Sequence, residues 1–233
     1  MSAVWCYPCE PMKPEPVLIA LLAASQLACA ARPVPCTAPG ACPQGTECLS
    51  NRCLPLGSDP VPEDSRRIVL RPTSLALVSS RAHSQAGALP PGIALGSRRE
   101  GAVALYLQFE PRWRGQAPVD TALLLLDPLP ATSVSTEVVA VRAWRVDQPW
   151  RRSELTWLDQ PSVAPPNTDA LARSSPPATL RVDVTPIVRY WQEHPRGNRG
   201  LALKARGDGA HGASYATGSS GGVGPRLELY FAE

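Results

Sequence analysis

From Arg66 to its last strand-like run at Leu227–Phe231 the chain is written in period two, and this alternation constrains its fold more than any other feature. Runs at Ile68–Leu70, Val103–Phe109, Thr121–Leu126, Val138–Trp144, Leu180–Val184, Leu201–Ala205 and Leu227–Phe231 have strand length and are bounded by Gly, Pro or Asp clusters. Alternation of apolar and polar residues sets one face of a strand against a core and the other toward water. Many short strands of this kind, with no helices between most of them, specify an all-β sandwich or barrel. Leu123 to Leu126 is apolar without a break, as a central strand covered on both faces would be. Composition agrees, since 27 Pro and 17 Gly stand against two Phe and two Met, favouring strands and turns over long helices. One short helix is expected with Thr185 as its cap, Pro186 at the first helical position and Ile187, Tyr190 and Trp191 on one face, plugging an end of the sandwich.

The 233 residues allow one main domain and a small extra module. Residues 1–28 read as a leader. Val17 to Ala24 is an apolar run too short to span a bilayer, which takes about 20 residues, but suited to the apolar centre of a signal peptide. Two Pro and two Cys crowd the segment before Met12, whereas Met12-Lys13 supplies a short basic start, so translation is expected to begin at Met12. Leu27-Ala28-Cys29 resembles a lipobox, whose Cys carries the lipid and becomes the new N-terminus; the alternative is ordinary cleavage near Ala28 or Ala30. With Ala30 rather than Asp after that Cys, the sorting rule for such anchors implies the outer membrane of a Gram-negative cell, and plain cleavage implies a secreted or periplasmic protein.

Seven Cys is an odd number. Setting aside Cys6 and Cys9 with the false start and Cys29 with the lipid leaves Cys36, Cys42, Cys48 and Cys53, which form a disulfide framework with three conceivable connectivities. Residues 29–54 hold too few apolar side chains to build a core, so cross-links must hold them. A zinc knuckle would need reduced thiolates and a cytosolic home, which the leader contradicts. Residues 55–65, rich in Pro and acid, read as an extended linker that spaces the next domain from the membrane. The domain itself spans 66–233.

Three ordered stretches resemble the DNRLRE domain family, which is related to modules of archaeal disaggregatase and grouped with carbohydrate-binding domains. They are Trp150-x4-Leu155-Thr156-Trp157-x3-Pro161, then Val182-Asp183-Val184-Thr185-x2-Val188-x2-Trp191 with Asn198-x-Gly200-Leu201-Ala202-Leu203, then Pro225-Arg226-Leu227-Glu228-Leu229-Tyr230. The resemblance implies a jelly-roll-like β-sandwich without catalytic machinery. The chain departs from the family at Pro72-Thr73-Ser74-Leu75 and at Ala216-Thr217-Gly218-Ser219, where relatives carry polar residues, so any ion or ligand site built from those residues is lost here.

Few side chains point to reaction chemistry. His83, His194 and His211 lie in loop-like sequence with no nucleophile-elbow signature, and Glu110, Glu154 and Asp159 read as surface carboxylates. No cofactor is expected; calcium at Asp208 is the one ion considered, against a solvated turn. Gly218 to Gly224 lacks the Lys-Ser/Thr and helix of a phosphate loop and reads as a strand connection. A formal charge of +3, carried by 21 scattered Arg and 2 Lys, argues against a nucleic-acid partner.

Sugar recognition relies on aromatic faces with planar polar groups beside them. Trp144, Trp157 and Trp191 fall in strand, helix or family-motif patterns and are expected in the core. Trp113 and Tyr215, in loop-like contexts, are the candidate stacking residues, and Trp150 with Arg151 and Arg152 is a candidate patch for an acidic polysaccharide. The expected function is a lipid-anchored envelope module that binds a polysaccharide or matrix; the alternative is a structural or adhesion module that contacts another envelope protein and has no sugar site. Exposure of Trp113, Trp150 and Tyr215 separates the two.

Overall fold

The computed structural model of the protein describes residues 34–36, 41–49, 52–56, 58, 65–82, 88–113, 117–129, 138–173, 178–219 and 223–231, all within one compact unit, Pro33–Glu233. The expected leader, the Met12 start and Cys29 lie outside the described residues, as does His83.

Two strands, β1 (Thr46–Leu49) and β2 (Arg52–Pro55), form an N-terminal hairpin. Then come β3 (Arg66–Leu70), β4 (Ser74–Ser79), β5 (Gly92–Leu95), β6 (Val103–Gln108), β7 (Val119–Leu126) and β8 (Val138–Val146). The remainder is β9 (Val163–Arg173), β10 (Leu180–Asp183), helix α1 (Thr185–Glu193), β11 (Leu201–Ala205), β12 (Ala213–Ala216) and β13 (Arg226–Phe231). A four-stranded sheet in the order β10-β7-β13-β3 faces a five-stranded sheet in the order β4-β6-β11-β8-β9, and the chain crosses repeatedly from one to the other as in a jelly roll. The short pair β5–β12 stands beside them.

Each run read from the alternation is a strand, and its in-pointing residues meet in one core. Leu203 on β11 pairs with Leu105 on β6 and with Ala143 on β8, while Leu227 on β13 pairs with Leu124 on β7 and with Leu70 on β3. All of these side chains belong to a single buried cluster, so the two sheets share one apolar interior.

Four sandwich strands escaped the alternation for stated reasons. Strand β9 contains Pro165 and Pro166, which cannot donate to a ladder and so argue against a strand; it sits at the sheet edge, and the two prolines fall where its register with β8 shifts, both settings in which that loss is tolerated. Strands β5 and β12 have only four residues each, and Gly and Ser around them read as loop. Strand β4, Ser74–Ser79, is a second edge strand flanked by Pro72 and by Ser80.

The expected helix is present, with a different start. Val184 is the cap residue, and its apolar side chain can make no cap bond; the Thr185 hydroxyl instead accepts the Ala122 N–H at 2.8 Å. The Arg189 guanidinium donates to Val119 O at 2.9 Å, and the Gln192 side-chain carbonyl accepts the Val119 N–H at 2.9 Å. These bonds fasten α1 to the start of β7 while Ile187, Val188 and Trp191 enter the core.

Strand β7 is apolar throughout because both of its faces are covered. Leu124 and Leu126 point into the core, and Leu123 and Leu125 form an outer cluster with Tyr230 against which Leu54 of the hairpin packs. Two disulfides, Cys36–Cys48 and Cys42–Cys53, hold that hairpin and select one of the three connectivities. The Arg181 guanidinium reaches from β10 to the Ser58 carbonyl and lies 3.7 Å from Glu47, so the hairpin and the residues after it are seated on the sheet. Of the segment expected to be a free spacer, Leu56 and Ser58 are thus tied back, by Leu56 N–H to Gly45 O at 3.0 Å and by the Arg181 bond, while 59–64 lie outside the described residues.

A network of paired charges lies on the outer face of this sheet. Glu228 accepts from Arg67, from Arg226 at 3.0 Å and from the Tyr230 hydroxyl at 2.7 Å, and Arg226 also pairs with Asp127. Burial pushes the Glu228 carboxyl upward, but the Tyr230 hydroxyl and the two guanidiniums outweigh it and hold it below the ordinary value.

Two outcomes follow for stability. The hairpin has almost no core of its own, and each disulfide closes a short loop worth about 2–4 kcal/mol. Reduction by dithiothreitol should therefore release it and raise the emission of an apolar dye on Leu123, Leu125 and Tyr230 while far-UV circular dichroism stays that of a sheet; unchanged emission would contradict the seating. For Glu228, a folded value below the unfolded one of about 4.3 means that its contribution is present at neutral pH and is lost as pH falls through that range toward the folded value. E228Q should lower the thermal midpoint at neutral pH and flatten its decline in acid, as read by calorimetry.

Candidate functional site

The rings expected to be exposed are buried, which corrects the sequence reading of all three. Trp113 is 2% exposed because it stacks on Trp191, with ring centroids 6.0 Å apart, and closes the core near α1. Tyr215 is 1% exposed because it belongs to β12, whose alternation turns Ala213 and Tyr215 inward. Trp150 is 8% exposed: its edge meets Tyr106 at 5.6 Å and its indole N–H donates to Arg199 O at 2.9 Å. None presents a face to a ligand. Arg151 and Arg152 are exposed, but Arg151 pairs with Glu154 and neither reaches the cleft described next.

Of the three rings expected in the core, Trp191 is there, whereas Trp144 and Trp157 are partly exposed and line one cleft. The cleft, of about 760 Å³, lies on the outer face of the five-stranded sheet. Register explains it. Lys204 on β11 stands opposite Ala104 on β6 and Arg142 on β8, and Arg142 opposite Asp169 on β9, so these side chains form one transverse row. The next outward row is Tyr106, Ala202, Trp144 and Asn167. The segment after β8 folds over one side of this face: Trp150 and Leu155 cover Tyr106 and Ala202, Gln160 accepts the Tyr106 hydroxyl at 2.9 Å, and the Gln160 amide donates to Trp157 O at 2.8 Å. That chain of bonds fixes Trp157 and Gln160 as one wall. Trp144 on the sheet faces the same space.

Electrostatically the cleft is cationic. Arg142 makes a two-pronged pair with Asp169, its second bond 2.8 Å long, and its guanidinium carbon lies 5.5 Å from the centre of the Trp144 ring. Lys204 and Arg206 also line the space, and neither has an ion-pair or hydrogen-bond partner among the described residues. Burial alone pushes the Lys204 ammonium below its ordinary value, as expected of a cation lacking a counter-charge. Three cations therefore face one carboxylate that is already committed. Two indoles, a fixed amide and unmatched cations suit stacking on a sugar ring and pairing with an acidic substituent.

No family model matches the chain, and no curated protein matches it. What the cleft holds must be read from its own residues.

Other sequence candidates resolve simply. His194 stacks on Tyr190 with centroids 4.4 Å apart, and His211 is exposed. Glu110 pairs with Arg112 at 3.2 Å on the surface. Asp208 is exposed and offers its backbone carbonyl to Arg98, and no two further ligating side chains converge on it: among the described residues the one convergence of three His, Cys, Asp or Glu side chains is Cys36, Cys42 and Cys53, whose sulfurs are in disulfides.

Trp144 was findable from sequence. Val139, Val141 and Ala143 are the inward phase of β8, and Trp144 shares its phase with Arg142, which a core would not accept. Trp157 carried no such signal, since its exposure depends on how a loop folds back. Acrylamide quenching should separate the rings: W144F and W157F each reduce the quenchable share of tryptophan emission, while W113F and W191F leave that share unreduced.

Proposed function

We propose that the protein is a non-catalytic binding module of the cell envelope that holds an acidic polysaccharide in the cleft on its five-stranded sheet. The observation that carries this reading is the pairing of Trp144 and Trp157 with Arg142, Lys204 and Arg206 in one open space. An indole face takes the C–H side of a pyranose, and each such ring contributes about 1 kcal/mol of stacking beyond its burial. Lys204, desolvated without a partner, gains most from a carboxylate or sulfate. Arg142 is held flat by Asp169, so its remaining N–H groups are oriented before a ligand arrives. The resemblance to the DNRLRE family supports the same class of ligand through a different set of rings from those first expected. An envelope location, with anchorage through Cys29, is part of the proposal and accords with the two disulfides, which persist in oxidising compartments.

By the exposure criterion drawn from the sequence, burial of Trp113, Trp150 and Tyr215 selects the structural or adhesion module with no sugar site, which is the second reading; the sugar reading rests instead on Trp144 and Trp157, two partly exposed rings outside that criterion. Affinity electrophoresis decides between them. Migration should be retarded in gels containing a polyuronate, less so with added salt, and more weakly or not at all with a neutral glucan. W144A/W157A should weaken the retardation roughly thirtyfold, at about fivefold for each ring, while R151A/R152A changes it little. Free migration of the folded protein in every gel would transfer the assignment to the second reading.

A further inference from the structure

The cleft does not end at Lys204. A second open groove of about 760 Å³, lined by Ser80, Arg81, Gly101, Gly207 and Asp208, adjoins it, and Ala102 and Arg206 line both. Register makes the two continuous. Ser79 on β4 pairs with Val103 on β6, Val103 with Ala205 on β11, Ala205 with Val141 on β8 and Val141 with Ala170 on β9. The backbone of one transverse row, whose apolar side chains turn into the core, thus crosses all five strands, and the groove and cleft lie over its outer side. At roughly 4.8 Å per interstrand step the row is about 19 Å long, enough for several sugar residues.

At the junction glycine lets the chain at 101 and at 207 approach with no side chain between them. A side chain at Gly207 would lie 2.3 Å from the Gly101 carbonyl oxygen, and one at Gly101, where φ is +71°, would lie 2.4 Å from the Ser80 hydroxyl. Backbone therefore touches backbone at the floor of the groove, and among the residues that line it Arg81, Arg206 and Asp208 carry charge. The turn bearing Arg81 is fixed: Ser80 N–H donates to Ala102 O at 2.9 Å, the Ser80 hydroxyl accepts the Ala102 N–H at 3.0 Å, and the Ser79 hydroxyl accepts the Arg81 N–H at 3.2 Å. Arg81 is exposed, its stem runs past Gly101, and its guanidinium has no partner among the described residues. Asp208 is the one acid among the lining residues, exposed, with its backbone carbonyl held by Arg98.

We propose that cleft and groove form one binding track, with Arg81 and Arg206 supplying a second subsite for an acidic substituent, so that the protein grips the interior of a polyanionic glycan chain rather than its end. This rests on the polysaccharide reading of the cleft and adds to it a second site, a minimum length and a specificity-determining residue. Trp144 and Trp157 hold one sugar of the chain; Arg81 and Arg206 engage a substituent further along, across the Ala102 junction. Two linked subsites bind a long chain more tightly than either binds a short one, because the second contact is made intramolecularly.

Calorimetric titration of the full chain with uronate oligosaccharides, from the disaccharide to the octasaccharide, tests this. Affinity of the unaltered protein should rise about tenfold with length, the value of one added charge-assisted contact. Arg81→Ala should remove that gain, leaving the octasaccharide bound about as the disaccharide is, whereas Arg196→Ala, an equal loss of charge outside the track, should leave the rise with length in place. Affinity independent of length, or a rise that Arg81→Ala leaves intact, would overturn the second subsite while the cleft reading stands. Absence of binding to every oligosaccharide and to the parent polyuronate would overturn both.

Discussion

Burial of alternate residues between two sheets is the constraint on which the rest of this protein depends. Once Leu105, Leu124, Leu203 and Leu227 meet in the interior, the phase of each strand is set, and the opposite residues must be dealt with on the outside. The two sheets answer differently. On the four-stranded sheet the outward residues include Leu123, Leu125 and Tyr230, and Leu54 of a disulfide-held hairpin covers them. On the five-stranded sheet alanines such as Ala104 and Ala202 keep the outer surface low, and the segment from Trp150 to Gln160 covers one side of it. The uncovered remainder is the trough.

Charge is treated in two ways on these faces, and the difference marks which face is structural. Glu228 is surrounded by three donors, and its carboxylate is stabilised in the folded state despite burial. Lys204 is partly buried with no partner among the described residues, and its ammonium is disfavoured by the same desolvation. A structural network satisfies its own members, and Lys204 belongs to none among the described residues.

The fold was largely legible because most of its signals are local. Alternation located the strands, and the apolar run Leu123–Leu126 announced a doubly covered strand before the covering segment was known. Cysteine number gave two disulfides but could not give the pairing, which depends on how the hairpin closes. Strand β9 was concealed by Pro165 and Pro166, whose meaning reverses once the strand is known to lie at an edge. The site was less legible, since exposure of an aromatic ring is a tertiary property. Trp113 looked free because its stacking partner, Trp191, is far away in sequence, and Trp150 because Arg199 supplies its carbonyl from the other side of the helix. Only Trp144 carried a local signal, its shared phase with Arg142, and the sequence reading that placed it in the core passed over it.

The hairpin sits on the outer face of one sheet and the cleft on the outer face of the other. Tension between a ligand in the cleft and the N-terminal side of the chain would thus be transmitted across the sandwich, normal to both sheets, through Leu54, Arg181 and the packed interior. Covalent crosslinks at Cys36–Cys48 and Cys42–Cys53 prevent the hairpin from unzipping strand by strand under that tension. The first non-covalent element to yield would be the seat of the hairpin on the sheet, and the cleft would keep its shape while it did.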